Sequence, residues 1–230
     1  MRTRVQQRVN ELTGTYYSTA EINSALNEAQ RLFVLLTLCL EVTAAFTLTA
    51  AVTFYHMRTT FEDWILPLRV TTLGGSKIFP SELEDLDSLD SGWQASPGAP
   101  VRYASLGFDF FAIYQQPAAA GTVVNITYAQ QPLVMAADTD TPQIQQEFHP
   151  ALVAYAIYRV RMKEGAQEFA KTMPYFNSFL DEAQKCGEYV RARNIGGGYD
   201  ILPFELARFD RSKVARASAT KRPEGANKQA

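Results

Sequence analysis

The residues that could perform catalysis are few and scattered along the chain. Its 230 residues include two histidines, His56 and His149, and two cysteines, Cys39 and Cys186. His56 ends a strand-like segment and His149 begins a predicted helix, where a capping or interface role is favoured over general-base catalysis. Neither cysteine has histidine or cysteine neighbours at metal-ligand spacing. We therefore predict that the protein is not an enzyme and has no catalytic residues, metal site or cofactor.

Two short segments superficially resemble ligand-binding loops. Asp85, Asp87 and Asp90 precede Gly92, but only the first two acids fit the EF-hand pattern, which also fixes a glycine and a final glutamate. Residues 74–77, Gly-Gly-Ser-Lys, lack the spacing of a phosphate-binding loop. We interpret the acids as a solvated helix face and the glycines as a hairpin turn.

The N-terminal residues do not predict a secretory signal, because Arg2, Arg4 and Arg8 interrupt any apolar stretch. We therefore expect synthesis in the cytoplasm. In that reducing compartment, Cys39 and Cys186 are predicted to be buried thiols rather than a disulfide, although their two helical segments could bring them close.

The most apolar run covers residues 32–55 and contains a single charged residue, Glu41. A run of this length can indicate a membrane span. Its threonines, however, alternate with valine, leucine and phenylalanine at mostly two-residue spacing, which favours a strand over Val42–Tyr55. We expect no membrane association.

The first helical segment, 18–40, begins with a capping box in which Ser18 caps the helix and Glu21 follows three residues later. Its apolar residues recur at helical spacing. These residues are Ile22, Ala25, Leu26, Ala29, Leu32 and Phe33. Because residues 32–40 are apolar on all sides, the last turns are expected to be buried or packed on a neighbouring subunit.

The second helical segment covers residues 141–193. Thr141-Pro142 and Pro150 are predicted helix starts, because proline is favoured in the first helical turn. Gly165 is predicted to interrupt the helices, and Pro174 to kink the last one. The simplest arrangement is a helical hairpin that packs against the first segment.

The residues between these segments alternate like β-strands. Short strands separated by turn signals indicate a small antiparallel sandwich or barrel. The predicted strands are Val42–Tyr55, Ile65–Thr72, Ser76–Phe79, Arg102–Leu106, Asp109–Tyr114 and Thr122–Tyr128. The turn signals are Gly74-Gly75, Ser96-Pro97-Gly98, Gly107 and Ala120-Gly121. Residues 81–84 predict a second capping box before a short acidic helix.

The predicted fold is therefore α+β. Residues 1–41 and 138–193 form a helical bundle, residues 42–137 form an inserted antiparallel β-sandwich or barrel-like domain, and residues 194–230 form an extended C-terminal arm. Residues 191–230 carry nine basic and four acidic side chains, whereas the first 190 residues carry 13 basic and 20 acidic ones. From Arg211 on, lysine, arginine, alanine and serine dominate, and this composition cannot bury enough apolar surface to fold alone.

Three segments together resemble a known family over roughly residues 1–190. They are residues 17–31, residues 93–100 leading to Tyr103, and residues 148–156 followed by Glu164-Gly165 and Phe169. In pattern and order they are similar to the head-to-tail adaptor, or connector, proteins of tailed bacteriophages.

The resemblance implies a structural virion protein of the neck between capsid and tail. Such adaptors form homo-oligomeric rings, commonly dodecameric, beneath the portal protein, and they contact tail or nozzle proteins. Double-stranded DNA passes through the bore without sequence-specific binding. The alternative is another phage assembly ring, such as a head-completion or tail-terminator protein.

The resemblance also suggests interaction residues. The arm is expected to bind the portal or a neighbouring subunit through an apolar track and basic side chains, the alternative being a solubilising tail. The arm residues are Tyr199, Ile201, Leu202, Phe204, Leu206, Phe209, Arg208, Arg211, Lys213 and Arg216. Arg2, Arg4 and Arg8 are candidates to face DNA, although surface ion pairing and an acidic lumen fit equally well.

Overall fold

The computed structural model describes residues 1–193 except 12, 14 and 138. This part of the chain is α+β, with five α-helices and a curled, mainly antiparallel seven-stranded sheet that forms half a barrel. The helices are α1 (Arg2–Arg8), α2 (Thr19–Thr37), α3 (Leu83–Leu89), α4 (His149–Arg161) and α5 (Phe169–Arg193). The strands are β1 (Glu41–Leu48), β2 (Phe54–His56), β3 (Trp64–Thr72), β4 (Lys77–Pro80), β5 (Pro97–Gly98), β6 (Arg102–Leu106), β7 (Phe110–Tyr114), β8 (Gln116–Pro117) and β9 (Thr122–Gln130).

The early and late helices pack into one bundle, as the sequence predicts. Helix α2 contacts both α4 and α5, and α1 packs on α4. The core combines Ile22 and Leu26 of α2 with Ala156 and Val160 of α4 and with Val5 of α1. Burying these side chains against one another stabilises the bundle by about 1.5–3 kcal/mol for each large aliphatic group.

Helix α2 begins with the predicted capping box. The Ser18 hydroxyl accepts a hydrogen bond from the Glu21 amide (3.2 Å), and the Glu21 carboxylate accepts one from the Ser18 amide (2.8 Å). The helix ends at Thr37 rather than residue 40, because Leu38 adopts a left-handed conformation with φ of 52°. Most of its last turns are buried, but Leu35 remains 44% exposed.

The second helical half begins later than predicted. Thr141-Pro142 is not helical, and the first turn is a 3-10 helix at Gln146–Phe148 that leads into α4. Pro150, the other predicted start, does lie in the first turn of α4. Gly165 interrupts the helices with a φ of 98°, as predicted, and Pro174 lies inside α5.

The sheet has the order β1-β9-β3-β4-β6-β7-β2. All neighbouring strands run antiparallel except β4 and β6, which are parallel. Val124, Ile126 and Tyr128 of β9 are buried, whereas the residues between them are only partly covered, so the predicted two-residue alternation is confirmed. Trp64 and Phe111 are fully buried in the same core.

The segment predicted as one strand, 42–55, forms two strands in different parts of the sheet. Strand β1 ends at Leu48, and the chain turns at Ala51, whose φ is 55°. The Tyr55 hydroxyl fixes this turn through hydrogen bonds. It accepts one from the Thr49 amide (3.1 Å) and can donate to the carbonyls of Thr49 (3.1 Å) and Val52 (3.0 Å). No helix among residues 1–193, apart from the three undescribed positions, is long and apolar enough to cross a membrane.

Two smaller predictions are wrong. The helix at Leu83–Leu89 exists, but Glu82 is its N-cap and makes no side-chain capping bond. The Ser81 hydroxyl instead accepts a hydrogen bond from Arg102 (3.0 Å), since the β4–β6 pairing places that arginine beside it. Pro97-Gly98 forms strand β5, paired in parallel with β8, rather than a turn.

Candidate interaction surfaces

The N-terminal arginines lie on the short helix α1. Val5 points into the bundle core, while Arg4 and Arg8, one turn apart, lie on the exposed side. Arg2 is partly buried and lies on a different side of this helix. The helix is held on α4, because Arg161 donates a hydrogen bond to the Arg8 carbonyl (3.2 Å). The structure therefore brings Arg4 and Arg8 together and separates them from Arg2.

The predicted C-terminal arm, 194–230, lies outside the described residues. All ten arm residues named from the sequence fall in this range. Helix α5 is the last described element and leads directly to it. Their role as a binding arm stays a prediction.

Charged groups join α2 to α4 along one side of the bundle. Glu28 accepts hydrogen bonds from the Tyr155 hydroxyl (2.9 Å) and from Arg159 (3.1 Å). Burial, followed by the Glu28 carboxylate, raises the pKa of Tyr155, so the phenol stays protonated. The Glu28–Arg159 pair is about half exposed, and such pairs contribute only about 0–1 kcal/mol.

A second polar contact lies at the beginning of α2. Lys163 donates hydrogen bonds to the Glu21 carboxylate and to the Tyr16 carbonyl, both at 2.8 Å. The Tyr17 hydroxyl donates to Glu164. The hydrogen bond from Lys163, together with those from Ser18, lowers the pKa of Glu21 to about 2. These contacts fix the chain before α2 against the turn after α4.

The acidic segment and the histidines have structural contacts. Asp87 accepts a hydrogen bond from the Trp93 indole (2.6 Å), and Asp90 accepts one from the Gly92 amide (2.9 Å). His149 contacts the Ile144 carbonyl at 3.0 Å, and His56 packs edge-on against Phe110. Across the described part of the chain, no three metal-binding side chains are grouped closely enough to hold an ion. These groups therefore organise loops and helix ends.

The outer edge of β1 is a surface that the sequence alone does not reveal. This eight-residue strand pairs with β9 on one side, and no other described strand pairs with it. The side chains of Thr43, Ala45 and Thr47 are exposed to solvent on one face of this strand, and Glu41 is its only charged residue. A long, nearly uncharged edge is an available template for another strand. Alternation alone could not reveal it, because strand order is set by long-range pairing.

Exposed apolar side chains form further candidate contact points. Phe108, at the tip of the β6–β7 hairpin, is 63% exposed, and Phe110 follows it on β7. Leu133 and Val134 are also mostly exposed, in the extended segment after β9. Single exposed apolar residues are common on protein surfaces, so these positions indicate a contact surface only if a partner protein covers them. An apolar residue beside a turn glycine, as at Gly107, is the signal that could have indicated Phe108.

The described residues present candidate contact surfaces on α1, along the edge of β1 and at exposed apolar side chains. In a comparison with known protein families, the sequence model of the family described as "SU10 adaptor protein" matches residues 1–196. No match was found among curated proteins. The matched range includes every described helix and strand and ends before most of the basic C-terminal residues.

Proposed function

Because this chain belongs to the SU10 adaptor protein family, a phage head-to-tail adaptor family, we propose that it assembles as a ring that joins the portal to the tail and forms part of the DNA conduit. It is a phage adaptor and a component of the virion. The observation that carries the proposal is the family match over residues 1–196, which covers the whole described fold. We further propose that the ring is a dodecamer and has no catalytic function.

The edge of β1, along which no described strand pairs, supports assembly with other copies. An isolated protein commonly protects such an edge with lysine, proline, a bulge or a covering loop. Along β1 the outward side chains are small and uncharged, and the Thr43 hydroxyl contacts that of Thr127 (2.8 Å) within the sheet. We propose that strand pairing along β1 contributes to a subunit interface.

The proposed domain division also suits a ring. Residues 1–41 and 138–193 form the helical body, and residues 42–137 form a β-domain whose hairpin tips carry Phe108 and Leu73. In a ring, each exposed aromatic or aliphatic tip is presented once by every subunit. Repetition turns a modest apolar contact into a multivalent one, with the portal on one side and a tail or nozzle protein on the other.

We propose that the arm binds the portal or a neighbouring subunit. Its apolar residues at 199–209 would enter pockets, and its basic residues at 208–216 would contact acidic surfaces. The proposed contacts are Tyr199, Ile201, Leu202, Phe204, Leu206, Phe209, Arg208, Arg211, Lys213 and Arg216.

We also propose that arginines of α1 face the DNA passage. Arg4 and Arg8 share an exposed side of the helix. In a ring, this pair is repeated around the bore and creates a sequence-independent field on the phosphates. Arg2 is partly buried and is expected to contribute less.

Electron microscopy and sedimentation of the purified chain, alone and mixed with its portal protein, test the proposal. The expected result is a closed ring, either free or on the portal. A chain truncated after Arg193 should keep its helical and strand content but lose at least about tenfold in portal affinity, since the arm contacts are removed. A chain that stays monomeric in both samples would contradict the ring, and full affinity without the arm would contradict its role.

Two sets of substitutions keep the length of the arm and test its apolar and its charged contacts separately. Phe204→Ser with Phe209→Ser removes the apolar anchors, whereas Arg211→Gln with Arg216→Gln removes charge. The apolar pair should weaken binding at all salt concentrations, and the charge pair should weaken it mainly at low salt. Rings that bind a tail protein but not the portal would instead favour a head-completion or tail-terminator ring.

A further inference from the structure

The fold brings the two cysteines of the chain into contact, although they are far apart in the sequence. Cys39 lies in the connection between α2 and β1, and Cys186 lies in α5. Both are free thiols, and their side chains hydrogen-bond each other. Because α2 and α5 pack directly together, this contact is part of the bundle interface.

The two thiols have different surroundings. Cys186 is buried, whereas Cys39 is partly exposed. The hydrogen bonds from Cys186 and then Thr37 lower the pKa of Cys39 to about 7, although burial and the Glu41 carboxylate oppose this. A large fraction of Cys39 is therefore thiolate near neutral pH. A partly exposed thiolate beside a buried second thiol is the arrangement of reversible redox pairs.

We propose that Cys39 and Cys186 form a peroxide-sensitive pair, in which oxidation produces an intramolecular disulfide that ties the α2–β1 connection to α5. The inference rests on the contact between these residues and does not depend on the proposed ring. Both cysteines stay reduced in the cytoplasm, and the pair becomes oxidisable when the protein meets peroxide outside the cell.

The reaction has two steps. The Cys39 thiolate attacks one oxygen of hydrogen peroxide, so that the S–O bond forms, the O–O bond breaks and hydroxide leaves. Cys186 sulfur then attacks the sulfur of the resulting sulfenic acid, the S–S bond forms, the S–O bond breaks and the second oxygen leaves as water with the Cys186 proton. In total, two thiols are oxidised and one peroxide is reduced to two waters.

The disulfide would close a loop that contains the whole β-sheet. Closing so long a loop lowers the entropy of the unfolded chain, so the oxidised protein should unfold at a higher temperature. For a chain of this size the expected increase in Tm is about 5–10 °C.

The test uses the purified full chain, reduced and then exposed to hydrogen peroxide. Intact mass should fall by two hydrogens, and non-reducing peptide mapping should find the Cys39–Cys186 peptide pair. Non-reducing gel electrophoresis should show a monomer rather than a disulfide dimer. Reduction with dithiothreitol should restore the original mass and Tm.

Two matched variants assign the roles. In Cys186→Ser, dimedone should trap a sulfenic acid at Cys39, because the second thiol is missing. In Cys39→Ser, Cys186 should react with peroxide at least about tenfold more slowly, because it is buried. Disulfide dimers only, direct oxidation of wild-type Cys39 to sulfinic acid, or a faster reaction at Cys186 would each overturn the proposal. The wild-type peptide map decides the question if either variant does not fold.

Discussion

Asn27 bonds both backbone groups of Met135. The side-chain oxygen of Asn27 accepts a hydrogen bond from the Met135 amide (2.8 Å), and its nitrogen donates one to the Met135 carbonyl (3.0 Å). Gln30, one turn later on α2, donates to the Leu133 carbonyl (2.6 Å). Two amide side chains thus fasten the segment that leaves the sheet after β9 along the surface of the bundle, as another strand would.

Asn27→Ala should lower the free energy of unfolding by about 1–2 kcal/mol. Two hydrogen bonds of about 1 kcal/mol each are lost, whereas the higher helix propensity of alanine stabilises α2 by a few tenths of a kcal/mol. Urea denaturation measures the difference. The control is Asn23→Ala, one turn earlier on α2, which removes the same type of side chain but leaves both hydrogen bonds between Asn27 and Met135 in place. Equal effects of the two variants would contradict the role of the Asn27 contact.

Phe111→Ala should cost about 3–5 kcal/mol, because the side chain is fully buried in the sheet core and its loss leaves a cavity. Phe108→Ala, three residues earlier and mostly exposed, should change stability by less than about 0.5 kcal/mol. Thermal unfolding followed by circular dichroism compares them. A small loss at Phe111 would mean that the sheet core is packed differently.

Glu21→Gln should reduce the response of stability to acid. The pKa of Glu21 is lowered from 4.5 to about 2 by hydrogen bonds from Lys163 and Ser18. Because the pKa of Glu21 is lower in the folded protein than in the unfolded chain, its carboxylate stabilises the fold at pH values above the unfolded-state pKa. This contribution disappears as the pH falls from about 4.5 to about 2. Wild type should therefore lose its advantage over the variant across that range.

Denaturation midpoints measured at several pH values between neutral and 2 test this prediction. The control is Glu84→Gln, which neutralises an exposed glutamate in the first turn of α3. A constant difference between wild type and Glu21→Gln at all pH values would show that the Lys163 contact does not depend on the charge of Glu21.

Cys39 should react with iodoacetamide to half its maximal rate near pH 7, since its pKa is lowered to about 7 from an ordinary value of 9.0. Cys186→Ser should move this midpoint, because the hydrogen bond from Cys186 is the main cause of the lowered pKa. Mass spectrometry after timed alkylation measures both profiles. A wild-type midpoint near 9 would contradict the observed thiol contact.

Ala45→Lys should weaken assembly without unfolding the subunit. Ala45 is exposed near the middle of β1, so lysine can extend into solvent, where it hinders the approach of another strand. Sedimentation velocity should show a smaller assembly, while circular dichroism remains unchanged. Thr127→Lys, on the neighbouring inner strand β9, serves as the control, and equal assembly of all three proteins would contradict pairing at β1.

Much of the architecture follows from the sequence, because local chemistry specifies it. The capping box at Ser18 and Glu21, the alternation in β9 and the break at Gly165 depend on residues only a few positions apart. The strand predicted over 42–55 was wrong because Tyr55 folds back on Thr49 and Val52, a contact that residue spacing does not reveal. The helix start at Thr141 was wrong because a capping residue followed by proline permits a helix without requiring one.

The sequence by itself determined that the chain is α+β, that helical segments flank the β-strands and that its pattern resembles the phage adaptors. Only the tertiary structure decided that β1 lies at one edge of the sheet, that Arg4 and Arg8 share an exposed side apart from Arg2, and that Cys39 meets Cys186. The physical reason is the distance along the chain between the residues that interact. Helix caps and strand alternation arise from neighbours along the chain, whereas sheet edges and the contact between the two thiols arise when distant segments pack to bury apolar surface.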